Sequence, residues 1–499
     1  MANKNKVWLS KSRYCSGITC PKTLWMGIHK PEEFDRSVLN EAVLTQGNEV
    51  GDLAMGLFGA YTEVPYGNLS EMIKTTENLM REKTPVIAEA SFSYDGCFCS
   101  VDILVRKTGK AVELYEVKSA TSVKEINYHD AAYQYWVLSS LGWTVKKVCL
   151  VHLNSSYVRH GDLDLQQLFA VEDVTKTVKK LAPEIEDNIR YMRRIAAQEA
   201  EPAIPLGEYC FSPYDCGYYP YCSSGLPHPN VFDLGGMQLK KKVEYYNAGV
   251  VSFEDLAQEN SLGEAYRIQV EHILHPQEDY IDRDAIRGFL EDLEYPLYFL
   301  DFESFQPAVP VYEGTRPYQQ IVFQYSLHIR KKPGGRTTHR EYLALPGADP
   351  RRSTAEHLVR DIPSSGGTVI VYNQTFEKTR LREMAELYPD LADRLLDIAD
   401  RIADLIVPFR RRMYYSGPMM GSCSIKRVLP ALYPEDPSLD YHNLEEVHNG
   451  AEASAMFTKM AGMNRTELKK SRENLLKYCG LDTLAMVKLY DRLCEVSEE

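Results

Sequence analysis

The stretch CFCSVDILVRKTGKAVELYEVKSAT, residues 97–121, constrains the fold more than any other part of the chain. Apolar residues recur at Val101, Ile103 and Val105, then at Val112, Leu114 and Val117, with Thr108-Gly109 between the two sets. That pattern predicts two neighbouring strands joined by a short turn. Asp102 falls within the first strand. Glu116 and Lys118 lie two apart on the second and therefore share a face. Two carboxylates supply hard oxygen ligands for Mg²⁺ or Mn²⁺. A lysine beside them can orient an attacking water or offset charge developing on a phosphate.

An Asp followed by Glu-x-Lys on the adjacent strand resembles the signature of the PD-(D/E)xK nucleases. The flanks resemble the RecB branch of that superfamily. In YHDAAYQYWVLSSLG, Gln134 stands where the family has a Gln-x-x-x-Tyr helix that supports the site and contacts nucleic acid, with Leu138 at the tyrosine position. In LTQGNEVGDLAMGLF, Gly51 occupies the place of a metal-binding histidine, which leaves Glu49 as a substitute ligand or as an exposed helical acid. The resemblance implies a restriction-endonuclease-like domain over residues 1–224, with Asp102 and Glu116 as metal ligands and Lys118 and Gln134 completing the catalytic set.

The amino terminus MANKNKVWLSKSRYCSG is basic without an apolar core, and no window approaches the ~20 apolar residues of a membrane span. The expectation is a cytoplasmic protein with no membrane partner. The eleven cysteines are then read as metal ligands or thiols rather than disulfides. Three of them, Cys210, Cys216 and Cys222, close the first domain in EYCFSPYDCGYYPYC, and Cys20 opens it in TCPKTLW. Four thiolates suit tetrahedral zinc or an iron–sulfur cluster. The bracket of one early and three late cysteines is similar to that of RecB-like nucleases of the AddB and CRISPR spacer-acquisition types. This resemblance implies a [4Fe–4S] cluster, with zinc as the alternative. Cys210 lies further from Cys216 than that pattern has it, and Cys15 is an alternative to Cys20. The remaining cysteines have the default reading of small buried hydrophobes.

A second constellation begins at YPLYFLDFESF, an apolar strand ending in Asp301 and Glu303. IVFQYSLHI, EYLALP and TVIVYN read as further strands. At the far end, NLLKYCGLDTLAMVKLY is an amphipathic helix that sets Tyr478 and Asp482 four apart on one side. An Asp-x-Glu strand followed much later by a Tyr-x-x-x-Asp helix resembles the DEDD exonucleases of the tyrosine subtype, which have a ribonuclease-H-like fold. Between them TVIVYNQTFEKTRL supplies Tyr372, Asn373, Phe376 and then Glu377, where the family has Asp. IADLIVPFR and GSCSIKRVLPAL resemble the family's linking helices. The resemblance implies two metal ions held by Asp301, Glu303, Glu377 and Asp482, with Tyr478 positioning the nucleophilic water.

The whole chain thus reads as α/β: a RecB-like domain (1–224), a helical connector (225–295) and a ribonuclease-H-like domain (296–499). The Pro- and Gly-bearing segment SSGLPHPNVFDLGG marks the first boundary. The connector's LGGMQLKKKVEYYNAGVVSFEDLAQ reads as either a helix-hairpin-helix or an ordinary helical link. A net charge of −13 argues against a protein that coats nucleic acid, but not against an enzyme whose acids collect metal. The short basic runs at 240–242, 330–332 and 410–412 read as phosphate contacts or solvated faces. The expected activity is metal-dependent hydrolysis of nucleic acid, DNA before RNA. The alternatives are a nucleic-acid-binding scaffold with one or both sites decayed, and an RNA-degrading exonuclease.

Overall fold

The computed structural model describes residues 8–275 and 278–498; the first seven residues of the amino-terminal reading lie outside it. The chain is mixed α/β and divides into two compact units. One comprises the residues through Gly225 together with Pro307–Gln319, and the other comprises Leu226–Gln306 and Gln320–Glu499. The segment read as a separate connector therefore forms no unit of its own: from Leu226 onward it belongs to the second.

In the first unit the elements run β1 (Leu9–Ser10), α1 (Lys11–Thr19), α2 (Pro21–His29), α3 (Glu41–Met55), β2 (Thr62–Glu63), α4 (Leu69–Glu82), β3 (Val86–Tyr94), β4 (Cys97–Arg106), β5 (Ala111–Lys118), α5 (Glu125–Ser140), β6 (Thr144–Leu153), α6 (Leu165–Leu168), β7 (Phe169–Asp173), α7 (Thr175–Ala196) and α8 (Tyr219–Ser223). The sheet order is β2-β3-β4-β5-β6-β7, with β1 lying parallel against the start of β4. Gly109, at φ +67°, makes the turn between β4 and β5, a conformation that side-chain-bearing residues rarely adopt. Helix α5 buries Tyr133, Val137 and Leu138 in the core with the sheet's Val101, Leu104 and Leu114. The same helix buries two polar residues one turn apart, Asp130 and Gln134.

The second unit contains α9 (Leu239–Asn247), α10 (Phe253–Ala257), α11 (Glu264–Leu274), β8 (Tyr280–Ile281), α12 (Arg283–Glu291), β9 (Leu297–Phe305), β10 (Ile321–Arg330), β11 (Thr337–Leu343), α13 (Arg351–Asp361), β12 (Val369–Val371), α14 (Thr375–Leu387), α15 (Ala392–Asp400), β13 (Ile402–Asp404), α16 (Val407–Arg410), β14 (Tyr414–Tyr415), α17 (Ile425–Leu432), α18 (Gly450–Lys459) and α19 (Arg465–Glu498). Its main sheet has the order β11-β10-β9-β12-β13. β11, β10 and β9 are antiparallel, and β12 and β13 run parallel to β9.

Alternation along β9 decides which residues meet which helices. Tyr298, Leu300 and Phe302 pack with Leu358, Leu381 and Ile398 of α13, α14 and α15. The intervening residues face the other way. Phe299 meets Tyr490 of α19, and Phe305 meets Phe457 of α18. Asp301 and Glu303 lie between those two aromatics on the same face.

Two sequence expectations need correction. EYLALP is a strand only as far as Leu343, because β11 pairs with β10 from Thr337 onward. IADLIVPFR opens as a strand, not a helix: Val369, Ile370 and Val371 pair with Ile402, Ala403 and Asp404, and helix resumes only at Val407. Three residues are too few for a period to announce themselves.

Candidate active sites

In the first unit, Ile103 pairs with Tyr115, which brings the next residues out, Asp102 and Glu116, side by side. Glu116 is 1% exposed, so its charge must be compensated within the protein. Its Oε1 accepts from Lys118 Nζ at 2.6 Å and from Lys11 Nζ at 2.7 Å, and its Oε2 accepts from Gln134 Nε2 at 2.6 Å. Asp130 anchors both Lys118, at 2.6 Å, and Gln134, at 3.0 Å. Asp102 Oδ2 accepts the Val117 backbone N–H at 2.6 Å, while its Oδ1 lies 3.6 Å from Lys11 Nζ.

Burial alone would raise both carboxyls. At Glu116 the two lysines outweigh it and hold the group well below its ordinary range. At Asp102 burial and then Glu116 win, and the carboxyl is pushed up. Burial also works against the Lys11 charge, but Asp102, Asp130 and Glu116 overcome it and keep the ammonium protonated.

The structure thus brings Asp102, Glu116, Lys118 and Gln134 together. Gln134 is fully buried, so it orients Glu116 and offers no surface to nucleic acid. Glu49 is exposed on α3, and open space surrounds the Gly51 position. Sequence reasoning missed Lys11 and Asp130. It also missed Glu89, which sits opposite Asp102 between the registered pairs Ala88–Ile103 and Ala90–Val101, with φ +54°. Burial, ahead of neighbouring charges, raises the Glu89 carboxyl.

Cys20, Cys210, Cys216 and Cys222 line one small cavity with Thr23, Met26 and Leu206. Burial pushes the Cys210 thiol up to about 11, and Cys216, Cys20 and Cys222 each act on it in the same direction. Thr23 Oγ1 lies 3.6 Å from Cys216 Sγ. Four soft donors lining one cavity are the donor set of a group that takes four thiolates. Cys15 is no substitute for Cys20: the charges acting on it are Asp130, Lys118, Lys11 and Glu116 of the acid site.

In the second unit, ligand atoms of Asp301, Glu303 and Cys479 all lie within 4.8 Å of one another. Cys479, read from sequence as a buried hydrophobe, has its Sγ 3.8 Å from Asp301 Oδ2. Burial, then Asp482, Glu303 and Glu377, raise Asp301 far above the carboxylate range, and burial followed by Asp482 does the same to Glu303. Asp482, 8% exposed, accepts from Tyr441 Oη at 2.7 Å. Lys426 Nζ donates to Tyr478 Oη at 3.1 Å and to the His448 carbonyl at 2.8 Å. Lys426 and Tyr441 were missed as site residues.

Glu377 sits in the first turn of α14. The turn before it is held by Asp404, whose carboxylate accepts the backbone N–H of Asn373 at 2.8 Å and of Gln374 at 3.2 Å. Asn373 itself has φ +78°. Glu377 is 2% exposed, and its Oε2 has no hydrogen-bond partner among the described residues. Burial, then Asp404, raise its carboxyl to about 8. A buried acid with an orphan oxygen, whose charge acts on Asp301, fits a divalent cation.

The basic runs each turn one member inward. Lys242 donates to the Phe232 carbonyl at 2.7 Å, Arg330 pairs with Asp491, and Arg412 donates to the Gly421 carbonyl at 2.7 Å. Arg330 and Arg412 are buried and Lys242 is half-buried, so these three are at least partly withdrawn from solvent onto protein partners.

Residues 298–424 match the family described as a domain of unknown function, DUF2779. The match takes in Asp301, Glu303 and Glu377 and ends before Tyr478 and Asp482. The chain is similar to an uncharacterized protein of Mycoplasma genitalium, 27% identical over 210 residues that make up 38% of this chain and 31% of the relative. It is also similar to an uncharacterized protein of Ureaplasma parvum, 27% identical over 208 residues, 38% of this chain and 30% of the relative. The matched region therefore spans about a third of these curated relatives.

Proposed function

We propose that the protein is a divalent-metal-dependent nuclease with two active sites, acting on DNA before RNA. The observation that carries the reading is the acid cluster of the second unit, Asp301, Glu303, Glu377 and Asp482, whose carboxyls are all raised by burial and none of which forms an ion pair among the described residues. The strand order β11-β10-β9-β12-β13, with acids on the central strand, supports a ribonuclease-H-like fold. The convergence of Asp102, Glu116 and Lys118 on adjacent strands supports a PD-(D/E)xK fold in the first unit.

Bound Mg²⁺ or Mn²⁺ would supply Lewis acidity and an activated water. Asp301, Glu303, Glu377 and Asp482 would hold the ions in the second unit, and Asp102 and Glu116 would hold them in the first. Tyr478, fixed by Lys426, orients the attacking water. Lys118, anchored by Asp130, faces the phosphate. We assign the four-thiol cavity a [4Fe–4S] cluster, with zinc as the alternative. A group bound there ties residue 20 to residue 222 and restrains the unfolded chain.

Cleavage of end-labelled single- and double-stranded DNA and RNA with Mn²⁺ or Mg²⁺ tests the activity. Asp482→Ala is expected to lower end-trimming by about three decades, since several kcal/mol of transition-state stabilisation is lost. Lys118→Ala is expected to remove a different set of products by ~10²–10³-fold. Tight binding of these substrates with no turnover by anaerobically prepared wild type would replace this reading with a nucleic-acid-binding scaffold.

The cluster has its own check. Anaerobically purified protein should absorb near the visible range of iron–sulfur clusters and contain iron and sulfide, and both should fall in Cys216→Ser. Stoichiometric zinc without iron would decide for the alternative.

A further inference from the structure

We propose that Lys11 is the resident counter-cation of the first acid site, and that a divalent ion binds there by displacing its ammonium from between Asp102 and Glu116. The inference rests on the metal-dependent reading of that site.

Three observations carry it. Glu116 Oε1 is already full: two ammonium groups donate to it, while Oε2 accepts from the Gln134 amide. A cation that bridges Asp102 Oδ1 and Glu116 Oε1, as the Lys11 ammonium now does, must therefore evict an ammonium. Lys118 and Gln134 are each held a second time by Asp130, at 2.6 and 3.0 Å. Among the described residues Lys11 has no comparable second anchor: its next contacts are the Ser100 carbonyl at 3.5 Å and Asp102 Oδ1 at 3.6 Å. It is the most loosely held of the three, and a flexible four-carbon stem lets its head withdraw. The charge balance agrees. Counted as carboxylates, Asp102, Glu116, Asp130 and Glu89 face two ammonium groups, and exchanging one of these for a divalent ion lessens the excess of negative charge.

Lys11 is thus a gate on metal affinity, distinct from Lys118, which stays in place to meet the phosphate. Where an internal cation fills the site in most molecules, apparent metal affinity falls by the fraction left open.

The test is a Mn²⁺ titration followed by electron paramagnetic resonance, in an Asp301→Asn, Asp482→Asn background that removes the second unit's acids. Lys11→Met is expected to tighten Mn²⁺ binding by about tenfold or more, with Lys11→Arg staying near the starting affinity. Equal affinity in the Met variant and its parent overturns the proposal and leaves the metal reading standing. Binding that is absent in both, or that survives Glu116→Gln, overturns the metal reading of this site and the proposal with it.

A measurement on the unmutated chain covers the case in which Lys11→Met does not fold. Lysine acylation mapped by mass spectrometry should be faster at Lys11 when Mn²⁺ is present, as the ammonium leaves its carboxylates. A rate at Lys11 that Mn²⁺ does not increase overturns the displacement.

Discussion

Glu116→Ala is expected to lower the stability of the first unit by about 3 kcal/mol, the lower end of what removing one partner of a buried ion pair costs. The lower end applies because Lys11 and Lys118 are about one-fifth exposed, so water screens part of what is lost. Without Glu116, two ammonium groups that now share one oxygen repel each other, and Gln134 loses an acceptor inside the core. Glu116→Gln keeps the volume and an acceptor oxygen and should cost less. The measurement is a urea titration in chelator followed by tryptophan fluorescence. Trp8, Trp25, Trp136 and Trp143 are the chain's four tryptophans, and all belong to the first unit, so the signal reports that unit alone. A midpoint unchanged in the alanine variant would mean the network contributes nothing to folding.

The second unit should respond in the opposite sense to the loss of an acid, and the difference lies in how closely the cations are held to the acids. In the first unit two lysines lie among the acids. In the second, Lys426 and Arg380 act on the acids without pairing directly with them, Asp482 accepts from hydroxyl donors, and at Asp301 and Glu303 repulsion from neighbouring acids adds to the cost of burial. One site is largely neutralised from within, whereas the other needs an outside cation to be comfortable. Metal dependence of stability should therefore reside mainly in the second unit.

What the sequence made legible follows from what is local. Asp102, Glu116 and Lys118 could be placed because a strand period of two and one glycine turn relate them. Tyr478 and Asp482 could be paired because they are one helical turn apart. The strand carrying Asp301 and Glu303 stood out as an apolar run. Lys11, by contrast, reaches Glu116 across 105 positions of sequence, and nothing in SKSRYCSG marks it as more than a basic residue in a first helical turn. Glu89 enters its site only because β3 carries an irregularity opposite Asp102, and irregularities break the period by which strands are read. Lys426 was visible inside a family-like phrase, but its role comes from reaching Tyr478, on another helix. Asp404 was read as part of a helix. It ends a three-residue strand, and its carboxylate caps the turn that presents Glu377. Such side-chain bonds to distant backbone cannot be read from periodicity.

The charge imbalance of the second unit has a sign that pH can expose. Glu377 titrates near 8 in the folded protein, against an ordinary glutamate value of 4.5. The folded state therefore holds this proton more tightly than the unfolded chain does. Its stabilising contribution is fully present below about pH 4.5, is lost progressively as pH rises, and is gone above about 8. At about 1.4 kcal/mol for each unit, the whole change is on the order of 5 kcal/mol. Glu377→Gln imitates the protonated form at every pH. In chelator, the variant should gain stability relative to wild type as pH is raised from 5 to 8.5, in the calorimetric transition that tryptophan fluorescence does not report. Adding Mn²⁺ at pH 8.5 should then stabilise wild type, by about 2.7 kcal/mol at a hundredfold excess over its dissociation constant. The variant, having lost a ligand, should respond less. If the two proteins keep a constant stability difference from pH 5 to 8.5 in chelator, Glu377 is not the strained acid the structure makes it. If Mn²⁺ then stabilises both equally, it is not a ligand either.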